Sequence, residues 1–349
     1  MEALSSRSIV RKEATFMDMA RVRGLLADVG TPDPARVREV IAKALELHGL
    51  SLEETAVLLG TEDPELLEEM FHAARTVKDS IYGRRIVLFA PLYYSNHCAN
   101  DCLYCAFRRS NPRKRTKLSL EQVAAEVRAL EDQGHKRVLV IEDEVTGSSS
   151  FDYLLQVIET VYATRSGRGE IRRVNVEMAP MTVEEFRRLK AARIGTYVVF
   201  QETYDPVTYE RMHPAGPKRD YHWRLTAMDR AMEAGIDDVG LGVLFGLNDY
   251  REEVLAMLTH AQHLEQTFGA GPHTLSVPRL EPADGAPAAM QPPHPVSDLD
   301  FKKIVAILRL AVPYTGIILS TRETAETRGA LLDLGISQMS AGSHTEPGG

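Results

Sequence analysis

The sequence predicts a closed parallel α/β barrel of the (β/α)8 TIM type, preceded by a helical extension. Three observations carry that prediction. From Ile86 onward, eight short apolar runs alternate with amphipathic segments. The runs are continuously apolar rather than alternating, as expected of strands covered on both faces. Most of the intervening segments open on a readable N-cap and close on glycine, the pattern of repeated strand–helix units. An open doubly wound sheet is the competing architecture.

Taken in order, residues 1–83 read as helices. Asp33-Pro34 and Asp63-Pro64 place proline at a first helical position, and Ser51 with Glu54 forms a capping box ahead of Leu52, Val57, Leu58 and Leu59. The strand candidates are 86–90, 137–141, 173–178, 195–200, 238–243, 273–276, 315–320 and 336–340. Ser119 with Gln122 opens a helix that stops at Gly134, Thr182 with Glu185 opens another, and a third runs to Ala234 and stops at Gly235. Helices near 250–267, 298–311 and 322–334 complete the series, and the proline-rich stretch 282–295 reads as a long loop. The expected division is an extension over 1–83 and a barrel over 84–349. The chain stops at Gly349, just past the eighth strand, so the final helix is expected to be missing, as in a truncated chain.

Bulk properties exclude several functions. The 349 residues are 44% hydrophobic and 26% charged, the balance of a soluble globular protein. A net charge of −8 argues against a nucleic-acid surface, which needs clustered Lys and Arg. One basic run, from Arg108-Arg109 to Arg113-Lys114-Arg115 and Lys117, departs from that trend and reads as a solvated loop beside a charged small molecule. No apolar run approaches the roughly 20 residues of a membrane span. The N-terminus lacks the basic and apolar regions of a secretory signal, so a cytoplasmic location is expected.

The three cysteines, Cys98, Cys102 and Cys105, lie in one loop just after the first strand. An odd number so closely spaced is a metal site rather than a disulfide framework. Three thiolates at C-x3-C-x2-C can each hold one iron of a [4Fe–4S] cube, leaving the fourth iron open to a substrate. Zinc is the competing occupant. It prefers four closed ligands, and the nearest candidate for a fourth, His97, abuts Cys98 and would strain a tetrahedral site.

That cysteine spacing, on that loop, resembles the radical S-adenosylmethionine (SAM) enzymes. The resemblance implies that the open iron binds SAM, and that an electron from a reductase or a flavodoxin/ferredoxin donor yields a 5′-deoxyadenosyl radical. Within that superfamily, several runs resemble the aromatic amino-acid lyases. They are Leu88–Tyr93, Gln201–Tyr204, His213–Lys218, Ala227–Gly242, Ser276–Arg279, Ser320–Glu323 and Ser340–Ser343. The pattern is nearest the tyrosine lyases that mature [FeFe]-hydrogenase (HydG-type). This implies cleavage of the Cα–Cβ bond of L-tyrosine to p-cresol and dehydroglycine (2-iminoacetate), with no nucleic-acid or membrane partner. In that type, dehydroglycine goes on to CO and cyanide at a second cluster in a C-terminal domain. With no cysteine after Cys105, that later chemistry is not expected of these residues. Asp143 and Met178-Ala179-Pro180 depart from the pattern, which keeps open a lyase of the same family for another amino acid or for thiamine biosynthesis. An iron–sulfur carrier or a zinc scaffold is the non-enzymatic alternative.

The resemblance also implies roles. Tyr104 would lie near the adenine, Glu144 would hold the SAM ammonium, Gln201 and Glu202 would face the ribose, and Arg224 would hold the SAM carboxylate. Glu144 sits where the family has a Gly-Glu pair, here preceded by Asp143, and the run Glu142–Glu144 also reads as a solvated acidic loop. Gly246, closing the run from Gly240, would flank the adenine. Arg322 would clamp the carboxylate of the amino-acid substrate. A cation at the start of a helix opposes the helix dipole, so a functional reason is expected there. Tyr93 and Ser276 match substrate-contacting positions, and His273 reads equally as a core histidine or a ligand.

Overall fold

In a computed structural model that describes residues 16–142, 144, 148–341 and 346–348, eight strands close into one barrel. They are β1 (Val87–Ser95), β2 (Arg137–Glu142), β3 (Arg173–Glu177), β4 (Tyr197–Glu202), β5 (Val239–Val243), β6 (Thr274–Ser276), β7 (Gly316–Leu319) and β8 (Gln338–Ser340). Every neighbour is parallel, and β8 returns to β1 through the pairs Val87–Gln338 to Phe89–Ser340. Each expected strand is present within a few residues.

β1 differs most, running to Ser95 rather than stopping at Ala90. Pro91 reads as a terminator because it has no N–H to give to a ladder. Pairing with β2 nevertheless continues from Ala90–Val138 to Tyr93–Ile141, because inter-strand contacts override local propensity. Alternation along β1 then decides the faces. Phe89, Pro91 and Tyr93 line the barrel interior, while Leu92 and Tyr94 join the large core outside it.

The expected capping boxes form at Ser51–Glu54, Ser119–Gln122 and Thr182–Glu185. Asp33 and Asp63 cap the helices Pro34–Ala44 and Pro64–Tyr82. The helix expected to end at Ala234 is broken at Thr226 into Tyr221–Leu225 and Ala227–Glu233. Two helices that local signals did not announce, Ser148–Ala163 and Pro206–Met212, follow β2 and β4. A single turn, Pro287–Met290, interrupts the proline-rich loop.

The N-terminal helices lie on the outer helices of the barrel, and their apolar faces share its large core. Tyr82 donates to the carbonyl of Tyr314 (2.7 Å), and Arg23 bridges Asp205 (2.6 Å) and Glu252 (3.0 Å). Among the described residues, none after β8 is helical, and no helix is long and apolar enough to cross a membrane. Asp143, Gly342, Ser343 and residues 1–15 lie outside the described residues.

Candidate active site

The cysteine loop follows β1 at the C-terminal mouth of the barrel, where loops of this fold gather chemistry. Its backbone is pinned from three sides. Asp101 N–H donates to the carbonyl of Ala215 (3.0 Å), Leu103 N–H to Met212 (3.0 Å), and Ala99 N–H to Glu144 (2.8 Å). None of the three cysteines is in a disulfide, and all three line one cavity of about 620 Å³. The amides of Asn100 and Phe107 point at Cys98 Sγ and Cys105 Sγ, each at 3.4 Å. Asp101 holds Arg108 (2.7 Å), and four backbone carbonyls hold the Arg115 guanidinium. Two cations of the basic run therefore brace the loop rather than facing solvent.

Beside the cysteines, two acids and two bases form a buried cluster. Lys218 Nζ lies 2.6 Å from Glu202 and 3.7 Å from Glu144, and Arg224 pairs with Glu144. Burial opposes the Lys218 charge, but Glu202 and the surrounding groups hold its pKa well above the ordinary value. Arg224, an expected surface residue if it had no function, is 3% exposed, and its Nη1 donates to the carbonyl of Phe200 (2.8 Å). Glu202 ends β4 beyond a bulge, with φ +71. A bulky residue seldom holds that left-handed conformation unless its surroundings fix it.

Asn100 links these parts. Its Nδ2 donates to Glu144 (2.9 Å) and its Oδ1 accepts the Lys218 amide (2.9 Å). Gly216 passes over it with φ +100, and a β-carbon there would lie 2.4 Å from Asn100 Oδ1. Tyr104 is oriented from behind. Burial draws the His213 pKa down to about 3, so the ring is neutral. Its Nδ1–H donates to the Tyr209 carbonyl (2.7 Å), leaving Nε2 to accept the Tyr104 hydroxyl (2.8 Å).

The cavity continues down the barrel. One wall is apolar, formed by Phe89, Leu139 and Ile141 with Tyr93 and Ile318 against them. The other carries Asn175, Glu177, Thr274, Ser276 and Ser340. At the rim, Arg322 is exposed to the cavity, its Nε 3.3 Å from Ser320 Oγ, and no carboxylate pairs with it among the described residues. The neighbouring Arg279 is fully occupied by Glu323 (2.7 Å) and Asp298 (2.7 Å).

Of the residues singled out in the sequence, Cys98, Cys102, Cys105, Tyr93, Tyr104, Glu144, Glu202, Arg224, Ser276 and Arg322 line this one cavity. Gln201 and Gly246 do not. The alternation of β4 turns Gln201 to the outer side of the strand, where it is buried, and Gly246 packs against Leu280 (3.2 Å from its β-position). His273 does not line the cavity. The reading missed Asn100, Lys218 and His213 as parts of the site. Lys218 and His213 stood in a quoted motif with no role, and nothing local marks Asn100, whose partners come from distant segments.

The donor set fits an iron–sulfur cluster and SAM. Among the described residues, no group of three or more His, Cys, Asp or Glu side chains is placed to hold a single metal ion. Three cysteines on one pinned loop, with amides directed at two sulfurs, suit the separate irons of a cube. Arg224 Nε is buried in the cavity without a hydrogen-bond partner, an orphaned donor that suits an incoming carboxylate.

Comparison with known proteins agrees. The Radical SAM superfamily model matches residues 92–261, and the Biotin and Thiamin Synthesis associated domain matches 276–348. The 2-iminoacetate synthase of Escherichia coli (strain K12) is 32% identical over 310 residues, covering 88% of this chain and 80% of its own. The crystal structure of HydG, a maturase of the [FeFe]-hydrogenase, is 55% identical with a TM-score of 0.94, over 96% of this chain and 74% of that one. HydG from Carboxydothermus hydrogenoformans is 44% identical with a TM-score of 0.89, over 97% of this chain and 77% of that one. With the cysteine loop at the mouth of a closed parallel barrel and relatives this similar over most of its length, the chain belongs to the radical SAM superfamily.

Proposed function

We propose that this chain is a radical SAM carbon–carbon lyase that cleaves the Cα–Cβ bond of L-tyrosine to p-cresol and dehydroglycine (2-iminoacetate), as in maturation of the [FeFe]-hydrogenase cofactor. The observation that carries the reading is the single cavity joining three cysteines and a charge cluster to an arginine set above an apolar wall. The likeness to HydG and to 2-iminoacetate synthase supports the same reaction.

When bound, the cluster and SAM supply a 5′-deoxyadenosyl radical after one-electron reduction. The chain's own residues bind and position. Cys98, Cys102 and Cys105 would each hold one iron. Arg224 would take the SAM carboxylate on its orphaned Nε, and Glu144 the SAM ammonium. Glu202, held by Lys218, would face the ribose, and the Tyr104 ring the adenine. Arg322 would clamp the carboxylate of tyrosine with its planar fork, while Tyr93 and Ser276 contact the amino acid. Phe89, Leu139 and Ile141 would bury the ring and exclude water from the radical. Gln201 would act from behind the strand, and Gly246 would keep Leu280 against the cavity. We place the reaction in the cytoplasm, with a reductase or flavodoxin/ferredoxin as donor, because all three cysteines must stay reduced. Residues 1–83 form the extension in this reading and 84–349 the barrel.

Anaerobic reconstitution with iron and sulfide, then incubation with SAM, dithionite and tyrosine, tests the reading. Mass analysis should find p-cresol and 5′-deoxyadenosine together. SAM cleavage without cresol would end the tyrosine reading and leave the superfamily untouched.

A further inference from the structure

Most polar side chains at the floor of the cavity have their bonds. Asn175 Oδ1 accepts from Thr196 N–H (3.0 Å) and Arg173 Nε (3.2 Å), and Thr196 Oγ1 accepts from Arg173 Nη2 (3.3 Å). Thr274 is different. It faces the cavity from β6 at 2% exposure, and its hydroxyl has no hydrogen-bond partner among the described residues. A buried hydroxyl left unpaired is costly, so its partner is expected from the cavity itself. Its register partners on both sides are glycines, Gly240 on β5, where a β-carbon would sit 2.5 Å from Thr274 Oγ1, and Gly316 on β7, whose β-position meets the Gln338 side chain.

The spacing matches one ligand dimension. Thr274 pairs in register with Gly316, and the Arg322 guanidinium is held at Ser320, four residues further up the same side of the barrel. Four residues of strand span about 13 Å. In tyrosine the phenol oxygen lies about 8–9 Å from the carboxylate, and a hydrogen bond at each end adds about 2.8 Å. The level between them carries Ser276 and Ile318, facing the apolar wall that would hold the ring.

We propose that Thr274 receives the phenol hydroxyl of the substrate and selects tyrosine over phenylalanine. The inference rests on the tyrosine-lyase reading and adds the residue that sets its side-chain specificity. A pocket built to bond a hydroxyl discriminates by leaving its own polar group unpaired when the hydroxyl is missing.

The test compares Thr274→Val, close in shape but without the hydroxyl, with Thr274→Ser, which keeps it. Dissociation constants for tyrosine and phenylalanine are measured on the reconstituted, SAM-loaded protein, together with 5′-deoxyadenosine formation. Thr274→Val should weaken tyrosine about 10-fold and leave phenylalanine within about 2-fold, while Thr274→Ser keeps the wild-type ratio. Gly240→Ala, which fills the space at the hydroxyl from the other strand, should reduce the ratio in the same direction. An unchanged tyrosine-to-phenylalanine ratio in Thr274→Val, or equal losses for both amino acids, overturns the assignment, and a water on Thr274 is then the occupant. If the wild-type protein forms no cresol at all, the lyase reading fails first and separately.

Discussion

Glu253 offers a measurable consequence of how the site is braced. On the helix Tyr250–Phe268 it is 1% exposed, and its carboxylate accepts the Thr203 hydroxyl and the Tyr204 amide (2.9 Å). Those two residues follow Glu202, so Glu253 fixes the turn that sends Glu202 into the cavity at positive φ. Burial outweighs the hydrogen bonds and pushes the Glu253 carboxyl from 4.5 up to about 7. Below pH 4.5 the folded and unfolded chains both carry the proton, and this group costs nothing. Between 4.5 and about 7 the unfolded chain loses the proton first, so it binds fewer protons and stability falls as pH rises. Above about 7 both are ionised, and the accumulated loss levels off at about 3 kcal/mol. Glu253→Gln keeps the shape and cannot ionise. Urea unfolding of wild type and variant at intervals from pH 5 to 8 should show the wild type losing roughly 2–3 kcal/mol relative to the variant. Parallel profiles would refute the reasoning. Because Gln presents one acceptor where the carboxylate presents two, the variant should also raise the KM for SAM several-fold through a displaced Glu202.

Three further perturbations follow from the same geometry. Lys218→Met strands Glu202 in a buried site, while Glu144 keeps Arg224 and Asn100, and should cost about 3–5 kcal/mol in chemical unfolding, with weaker SAM binding by equilibrium dialysis. Arg322→Met should raise the KM for tyrosine about 10–100-fold while SAM affinity stays unchanged, since only the rim arginine is altered. Gly242→Ala would place a β-carbon 1.5 Å from the Phe200 ring and should destabilise by about 1–3 kcal/mol, with Phe200→Leu in the same chain restoring part of the loss in thermal unfolding.

The sequence made the barrel legible because its signals are local and repeated. Each strand is a short apolar run, and helices such as Leu120–Asp132 and Val183–Ala191 carry their caps in adjacent residues. It failed where pairing overrules propensity. Pro91 reads as a stop, yet β2 offers a partner to every residue around it. The cysteines were legible for the same local reason, being one motif in one loop. Arg224 was harder, since a short polar helix gives no sign that its arginine points inward to 3% exposure. Gly246 shows the opposite case, since it does not line the cavity. It belongs to a glycine run at a strand end, but the glycines whose β-positions abut cavity-lining side chains are Gly240, against Thr274, and Gly242, against Phe200, both on neighbouring strands. Such facts are properties of the register between strands, which no single segment contains.

Asn100 shows why the cofactor pocket behaves as one unit. The residue sits inside the cysteine motif, 44 residues from Glu144 and 118 from Lys218, and it bonds to both. The cysteine loop therefore cannot adopt its conformation without also placing an acid from the β2 loop and a base from the loop after β4. Buried charges of this kind rarely add stability over apolar packing, because desolvation offsets their attraction. Here the two acids and two bases sum to zero, so the site folds without an uncompensated charge. In the proposed reading the Arg224–Glu144 pair opens to the amino-acid end of SAM, arginine meeting the carboxylate and glutamate the ammonium, so that this end enters without changing the charge balance of the pair. An apolar replacement of that pair would pack as well and could make no such exchange. In that reading the ion pairs are a closed form of the proposed contacts to SAM, held in register by the cysteine loop.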